Sequence, residues 1–362
     1  GGGRRSALMF CLNWDHPDLP EFLEAKLDKN ELNNANVSVC VDETFLKLLD
    51  EQKEVILKWQ GEERGCILAQ DIWDKIIANA WKGGDPGLLN IGLANKMNTI
   101  YYVADLVSTN PCGEIWMSPH DCCCLGAVNL STHVIDGEID WHMLEETVAI
   151  GVRFLDNVLD QNHYPMPIIQ ETCHKHRRIG LGVMGLHDML LQLGKKYDSK
   201  VSYEIVDEVM AFIKKHAYET SIILAAEKGP FQAFDPEKHI KSGFAKKCLT
   251  QSIKRKILEH GIRNCALLTI APTGTTAIRL TAPVASPPVP LIGVPLGLMV
   301  EKLIPTPPPV PEMIVTDLKR SPQPSRESSA GETKQFSICP LGLPAPLQIL
   351  PPGENRFVLR TI

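Results

Sequence analysis

Asn36-Val37-Ser38-Val39-Cys40-Val41, followed at once by Asp42-Glu43-Thr44-Phe45-Leu46, decides the fold class of this chain. The first six residues alternate at the period of a strand. Asp42 then suits the N-cap of a helix that carries Phe45, Leu46, Leu48 and Leu49 at helical spacing. The same switch of period recurs further along. Ala69 to Trp81 reads as a helix that stops at Gly83-Gly84-Asp85-Pro86-Gly87, a glycine-proline turn. Trp141 to Leu159 sets Leu144, Val148, Ile150, Val152, Leu155 and Val158 at helical intervals, and Tyr203 to Ala226 repeats the pattern over a longer span. Upstream, Asp15-His16-Pro17 is expected to open a helix through Phe22, Leu23 and Leu27, with Asp15 as its cap. Asn264 to Ile270 (NCALLTI) reads as a short buried strand. Strands alternating with helices predict an α/β architecture.

Composition narrows the function classes. The chain has 362 residues, 44% hydrophobic and 22% charged, the mix of a soluble globular protein of one large or two ordinary domains. A formal net charge of −6 has the wrong sign for a generic nucleic-acid or anionic-membrane surface. No apolar run reaches the roughly 18 residues of a spanning helix. The opening GGGRRSALMF has no initiator Met and too short an apolar run for a signal peptide, and reads as a chain cut from something longer. Its 11 cysteines are mostly scattered singly, which argues for a reducing cytoplasm where a special cysteine is chemical rather than structural. Prolines divide the chain, with 10 in residues 1–280 and 17 in residues 281–362. Residues 1–280 are expected to be globular, and 281–362 an extended, mostly disordered tail.

Two places carry chemistry. In Asn110-Pro111-Cys112-Gly113-Glu114 the proline pushes Asn110 away from helical angles and Gly113 permits a tight bend. The pentapeptide therefore offers an amide, a thiol and a carboxylate on one projecting loop, a set suited to nucleophile and base chemistry. On spacing alone, a plain Pro-Gly turn that happens to hold Cys and Glu is the commoner outcome. Cys122-Cys123-Cys124 follow, with His120 and His133 near in sequence. Adjacent cysteines rarely ligate one tetrahedral ion, so a redox role for one of them fits better than a metal. Cys173, His174 and His176 read as a polar helix face or turn rather than a metal site. The second place is Pro272-Thr273-Gly274-Thr275-Thr276. A strand ending in a Gly/Thr turn that opens a helix aims free N–H groups at one spot and suits a phosphate, with an unliganded helix cap as the equal alternative.

These residues also carry a resemblance. NPCGE from Asn110, CLGAVNL from Cys124, RRIGLGVMGLHD from Arg177 and APTGT from Ala271 are similar to the catalytic subunit of ribonucleotide reductases. DHPDLPEFLEAK, NNANVSVCVDETF and IWDKIIANAWKGGDPGLLNI fit the same family in the same order, so the likeness covers about residues 1–278. NPCGE and GDPGLL look most like the adenosylcobalamin-dependent (class II) branch. The class I branch, which borrows its radical from a partner subunit, is the runner-up. The resemblance implies part of a ten-stranded α/β barrel with a central finger loop, and radical reduction of ribonucleotides to deoxyribonucleotides. Cys112 would become the thiyl radical that removes the 3′ hydrogen, Glu114 would take the 3′-hydroxyl proton, and Asn110 would hold the ribose, with Pro111 and Gly113 completing the substrate loop. Cys123 matches one member of the redox pair, and Pro272, Thr273, Gly274, Thr275 and Thr276 match the grip on the substrate phosphates. The implied cofactor is adenosylcobalamin, with no protein-ligated metal. The implied partners are a ribonucleotide, a thioredoxin- or glutaredoxin-type reductant and a second copy in a homodimer, with neither nucleic acid nor membrane.

The departures are also informative. The family places the second redox cysteine upstream of the segment that GGGRR resembles, so the chain alone is expected not to turn over. Beyond Ile278 the family continues with barrel strands and a cysteine-bearing tail, whereas here the sequence turns proline-rich and Cys339 stands alone. A frameshift near residue 279 or an assembly error is the leading explanation. For the function, the alternatives to a radical reductase of ribonucleotides are a non-catalytic remnant that binds nucleotides or a partner, and an unrelated thiol enzyme or zinc protein.

Overall fold

The computed structural model describes residues 7–27, 32, 34–274, 276 and 277, together with the backbone of a strand at 357–361. The proline-rich stretch expected to be extended lies, up to residue 356, outside the described residues, as does Thr275. β1 (Leu8–Asn13) is followed by a short helix, α1 (Leu19–Phe22), and by β2 (Ala35–Val41), which runs parallel to β1. The helix opens later than the sequence suggests. Asp15 is not its cap, because the Asp15 carbonyl accepts the Lys58 N–H at 2.7 Å; the chain turns first, and Pro20 falls in the first helical turn, where its missing N–H costs nothing. α2 (Glu43–Asp50) begins as expected, with the Asp42 carboxylate accepting from Phe45 N at 3.0 Å. β3 (Glu54–Trp59) and β4 (Glu62–Leu68) form an antiparallel hairpin. α3 (Ala69–Gly83) ends on Gly84, whose φ of +89° is open to glycine at no cost, and β5 (Gly87–Asn90) then completes a parallel sheet in the order β1-β2-β5.

After α4 (Ile91–Met97), β6 (Ser108–Thr109) and β7 (Trp116–Met117) pair antiparallel around the NPCGE loop. β8 (Cys124–Asn129) is buried along its whole length. A 3₁₀ turn and the small β9 (Val134–Ile135) and β10 (Glu138–Ile139) hairpin lead to α5 (Trp141–Gln161) and α6 (Pro167–His176). β11 (Ile179–Met184), again wholly buried, lies parallel to β8. α7 (Leu186–Gln192), the long α8 (Lys200–Lys228), α9 (Pro236–Lys241), α10 (Gly243–Cys248) and α11 (Gln251–His260) follow, and β12 (Phe357–Thr361) pairs antiparallel with β8. Among the described residues the strands make five separate sheets and no closed barrel, so the architecture is mixed α/β with two sheets containing parallel pairs. No helix among them is long and apolar enough to cross a membrane.

Two larger cores hold these elements. Leu144, Val148, Val152, Leu155 and Leu159 of α5 are fully buried against β8, β11 and α8, each contributing on the order of 2 kcal/mol through burial. Val39, Val41, Phe45, Val55, Ile72 and Ile76 form the second core beneath the first sheet. Asn264 to Ile270, expected as a short buried strand, lies beside β11 without forming one: the chain bends at Cys265 and Ile270 is 56% exposed. Only Leu268 completes a ladder bridge, to Leu181, while Ile179 and Leu181 N–H groups donate to Ala266 and Leu267 carbonyls at 3.1 and 2.8 Å. Gly182 is what admits this segment, since a Cβ there would collide with the Thr269 carbonyl oxygen.

Candidate functional site

The NPCGE pentapeptide is the tip of the β6–β7 hairpin. The Gly113 N–H donates to the Asn110 carbonyl at 2.9 Å, closing a turn in which Gly113 adopts a φ of +82°. A Cβ on Gly113 would meet nothing within 4 Å, so glycine is required there by backbone angle and not by space. Asn110 is 6% exposed and works in both directions: its Nδ2 donates to Glu114 Oε2 at 2.7 Å, and its Oδ1 accepts from Ile115 N at 3.0 Å. Glu114 Oε1 is buried and makes no hydrogen bond among the described residues. A carboxylate held by one oxygen presents the other as a ready acceptor. Cys112, by contrast, is exposed at the tip.

Anchors far apart in sequence hold the hairpin. Asn36 Nδ2 on β2 donates to the Pro111 carbonyl at 2.7 Å, and Cys11 Sγ on β1 lies 3.2 Å from Ser108 Oγ. Thr269 Oγ1 donates to the Glu114 carbonyl at 2.8 Å. Beneath, Ile115 and Met117 pack with Cys123, Leu125 and Ala271 in a third, small apolar cluster. The structure therefore brings the pentapeptide, Cys123 and the start of the 271–276 segment into one neighbourhood. A Cβ built on Gly180 would stand 3.0 Å from Cys123 Sγ, so glycine leaves the room that this sulfur occupies. Burial pushes the Cys123 thiol well above the ordinary range, which keeps it protonated.

The phosphate-like motif is described in part. Thr273 has a φ of +51°, in the left-handed region, and its carbonyl accepts the Ala277 N–H at 2.7 Å. A helical turn thus opens at Gly274, with Pro272 and Gly274 exposed and Thr273 and Thr276 half-buried.

Cys173, His174 and His176 lie on the last turn of α6, and the structure adds that two of them face inward: Cys173 and His176 are 1% and 3% exposed. The reason is Asp121, whose buried side chain accepts from Arg178 Nε at 2.9 Å and sits 3.1 Å from His176 Nδ1. Burial alone would raise the Asp121 carboxyl, but Arg178 and His176 outweigh it and hold it below the ordinary carboxylate range. His174 reaches the Leu159 carbonyl instead, and His133, near the cysteine triplet in sequence, bonds Asn129 and Thr147. No group of three or more His, Cys, Asp or Glu side chains among the described residues is placed to hold a metal ion. Sequence reasoning missed Thr269 and Asp121. Only the presence of a polar residue within NCALLTI hinted at the first.

The hairpin thus displays an exposed thiol beside a half-satisfied carboxylate, with a second thiol buried in the apolar cluster that Ile115 and Met117 join. Residues 1–289 match the family described as "Ribonucleotide reductase, barrel domain", and the chain belongs to that family. A "Vitamin B12-dependent ribonucleoside-diphosphate reductase" of Thermoplasma acidophilum is 41% identical over 282 residues, covering 77% of this chain and 35% of that protein. The protein of the same description from Mycobacterium tuberculosis (strain H37Rv) is 35% identical over 281 residues, covering 77% and 37%. The "Ribonucleoside-diphosphate reductase subunit alpha" of Chlamydia muridarum is 27% identical over 333 residues, covering 76% and 32%. The chain spans about a third of the length of these curated relatives.

Proposed function

We propose that this chain carries the radical-bearing hairpin of a ribonucleotide reductase and contributes part of its ten-stranded barrel, with the β6–β7 hairpin as the finger loop. The observation that carries this reading is the Asn110–Glu114 pair: one carboxylate oxygen is fixed at 2.7 Å, the other is buried and unpartnered, and the Cys112 thiol stands free two residues away. In this reading Cys112, as a thiyl radical, takes the 3′ hydrogen atom of a ribonucleotide. Glu114 Oε1 accepts the proton of the 3′-hydroxyl, Asn110 holds the ribose and keeps the carboxylate aimed, and the 2′-hydroxyl leaves as water. Cys123 supplies reducing electrons together with a second cysteine, the resulting disulfide being reset by a thioredoxin- or glutaredoxin-type reductant. The 272–276 turn receives the phosphates. A homodimer is the assembly this reading carries.

The radical source that the vitamin B12-dependent relatives support is adenosylcobalamin, ahead of a class I partner subunit, since the identity to those relatives is the higher. The residues present fit it. A radical made outside the protein fabric needs a thiol it can reach, and Cys112 is exposed where Cys123, Cys124 and Cys265 are buried. Cys112 is the residue the group would face, and what the group supplies when bound is an organic radical. In the full-length polypeptide, Cys112→Ser is expected to keep nucleotide binding and abolish deoxyribonucleotide formation, because a serine O–H resists conversion to a radical. Measurable turnover in that variant would defeat the reading.

A further inference from the structure

Cys122 and Cys173 lie 51 positions apart in the chain, yet their Sγ atoms are 3.0 Å from each other. We propose that these two thiols are a reversible oxidation site, closing to a disulfide when the protein meets a low-molecular-weight disulfide and reopening under thiol reductants. The pair is separate from Cys123 and independent of the role given to Cys112. Three observations carry it. First, the segments that bear the two cysteines are already clamped together: Asp121, the neighbour of Cys122, meets His176 at 3.1 Å, and Ser118 Oγ lies 3.4 Å from the same ring nitrogen. The sulfurs therefore need only a short approach, with little backbone movement. Second, access is unequal in a useful way, since Cys122 is half-buried and Cys173 is 1% exposed. Third, neither sulfur is committed elsewhere by a metal-ligand group among the described residues.

The unequal access sets the order of events. The Cys122 thiolate attacks one sulfur of the small disulfide, forming a mixed disulfide and expelling one thiolate, which takes up a proton. Cys173 then attacks Cys122 Sγ, giving its proton to the second departing thiolate. Two electrons pass from the protein dithiol to the reagent, which leaves as two thiols. The hydrogen bond with Cys122, and then burial, raise the Cys173 thiol above the ordinary range, so it stays protonated and serves as the resolving partner rather than the first attacker. The closed bond ties the end of α6 to the loop that leads from the radical hairpin to Cys123.

The test treats the reduced full chain with oxidised glutathione, blocks the remaining thiols with an alkylating reagent and maps peptides by mass spectrometry. The expected product is a Cys122–Cys173 linked peptide pair lighter by two hydrogens, with two alkylation sites lost, both regained after dithiothreitol. The link should persist in Cys123→Ser. Cys122→Ser, chosen because its half-buried position tolerates the change better than Cys173 would, should lose it. If the exposed Cys112 is glutathionylated while Cys122 and Cys173 stay singly alkylated, the proposal is overturned. A link from either cysteine to Cys123 instead would overturn it equally.

Discussion

The Thr269 hydroxyl donates to the Glu114 carbonyl at 2.8 Å, across 155 positions of chain, and so ties the hairpin tip to the segment beside β11. This bond fixes the backbone of the residue whose carboxylate is aimed by Asn110. Thr269→Val keeps the shape but removes the donor. It is expected to cost about 1 kcal/mol and to speed hydrogen exchange at Gly113 and Ile115. Unchanged exchange at both amides would show that the bond does not hold the hairpin.

Gly182 should tolerate no side chain. A Cβ there meets the Thr269 carbonyl oxygen, which is backbone and cannot swing aside. Gly182→Ala is expected to destabilise by roughly 1–3 kcal/mol, seen as a lower thermal midpoint. A midpoint equal to that of the parent would mean that the 265–271 segment is not packed against β11.

Glu114→Gln separates holding from proton transfer. The amide oxygen can still accept from Asn110 Nδ2, so the hairpin should keep its shape, but the free acceptor Oε1 is lost. In the full-length polypeptide kcat is expected to fall by roughly 100- to 10,000-fold, with a smaller change in nucleotide affinity. An equal loss in affinity would make Glu114 a binding residue rather than a base.

His239 makes stability depend on pH. The ring is 1% exposed, and burial lowers its pKa to about 4, against a smaller opposing pull from a backbone bond to Thr99. Because the folded pKa is depressed, the unfolded chain takes up the proton first as the pH drops. The contribution is therefore intact above the usual histidine value of 6.5 and is lost as the pH falls towards about 4, by at most on the order of 3 kcal/mol. His239→Gln should flatten that slope in denaturant titrations between about pH 7 and about pH 4.5. An unchanged slope would assign the acid sensitivity to other groups.

What the sequence determined by itself was local. The alternation of Asn36 to Val41, the Asp42 cap, the stop at Gly84 and the apolar spacing of α5 are set by interactions between residues two to four apart, and each appears where its pattern puts it. The turn of the pentapeptide was legible for the same reason, since Asn110, Cys112 and Glu114 are near neighbours in the chain. Asp15 shows the limit: a backbone bond from Lys58 on β3 claims its carbonyl, and the helix begins three residues later than expected, with Asp18 at the N-cap. Only the tertiary structure decided that Thr269 would hold Glu114, that Asp121 would draw His176 inside, and that Cys122 would face Cys173. Those contacts join segments between about 50 and 155 residues apart, and they exist because the buried faces of β8, β11 and α5 pack together, a condition that no local spacing records.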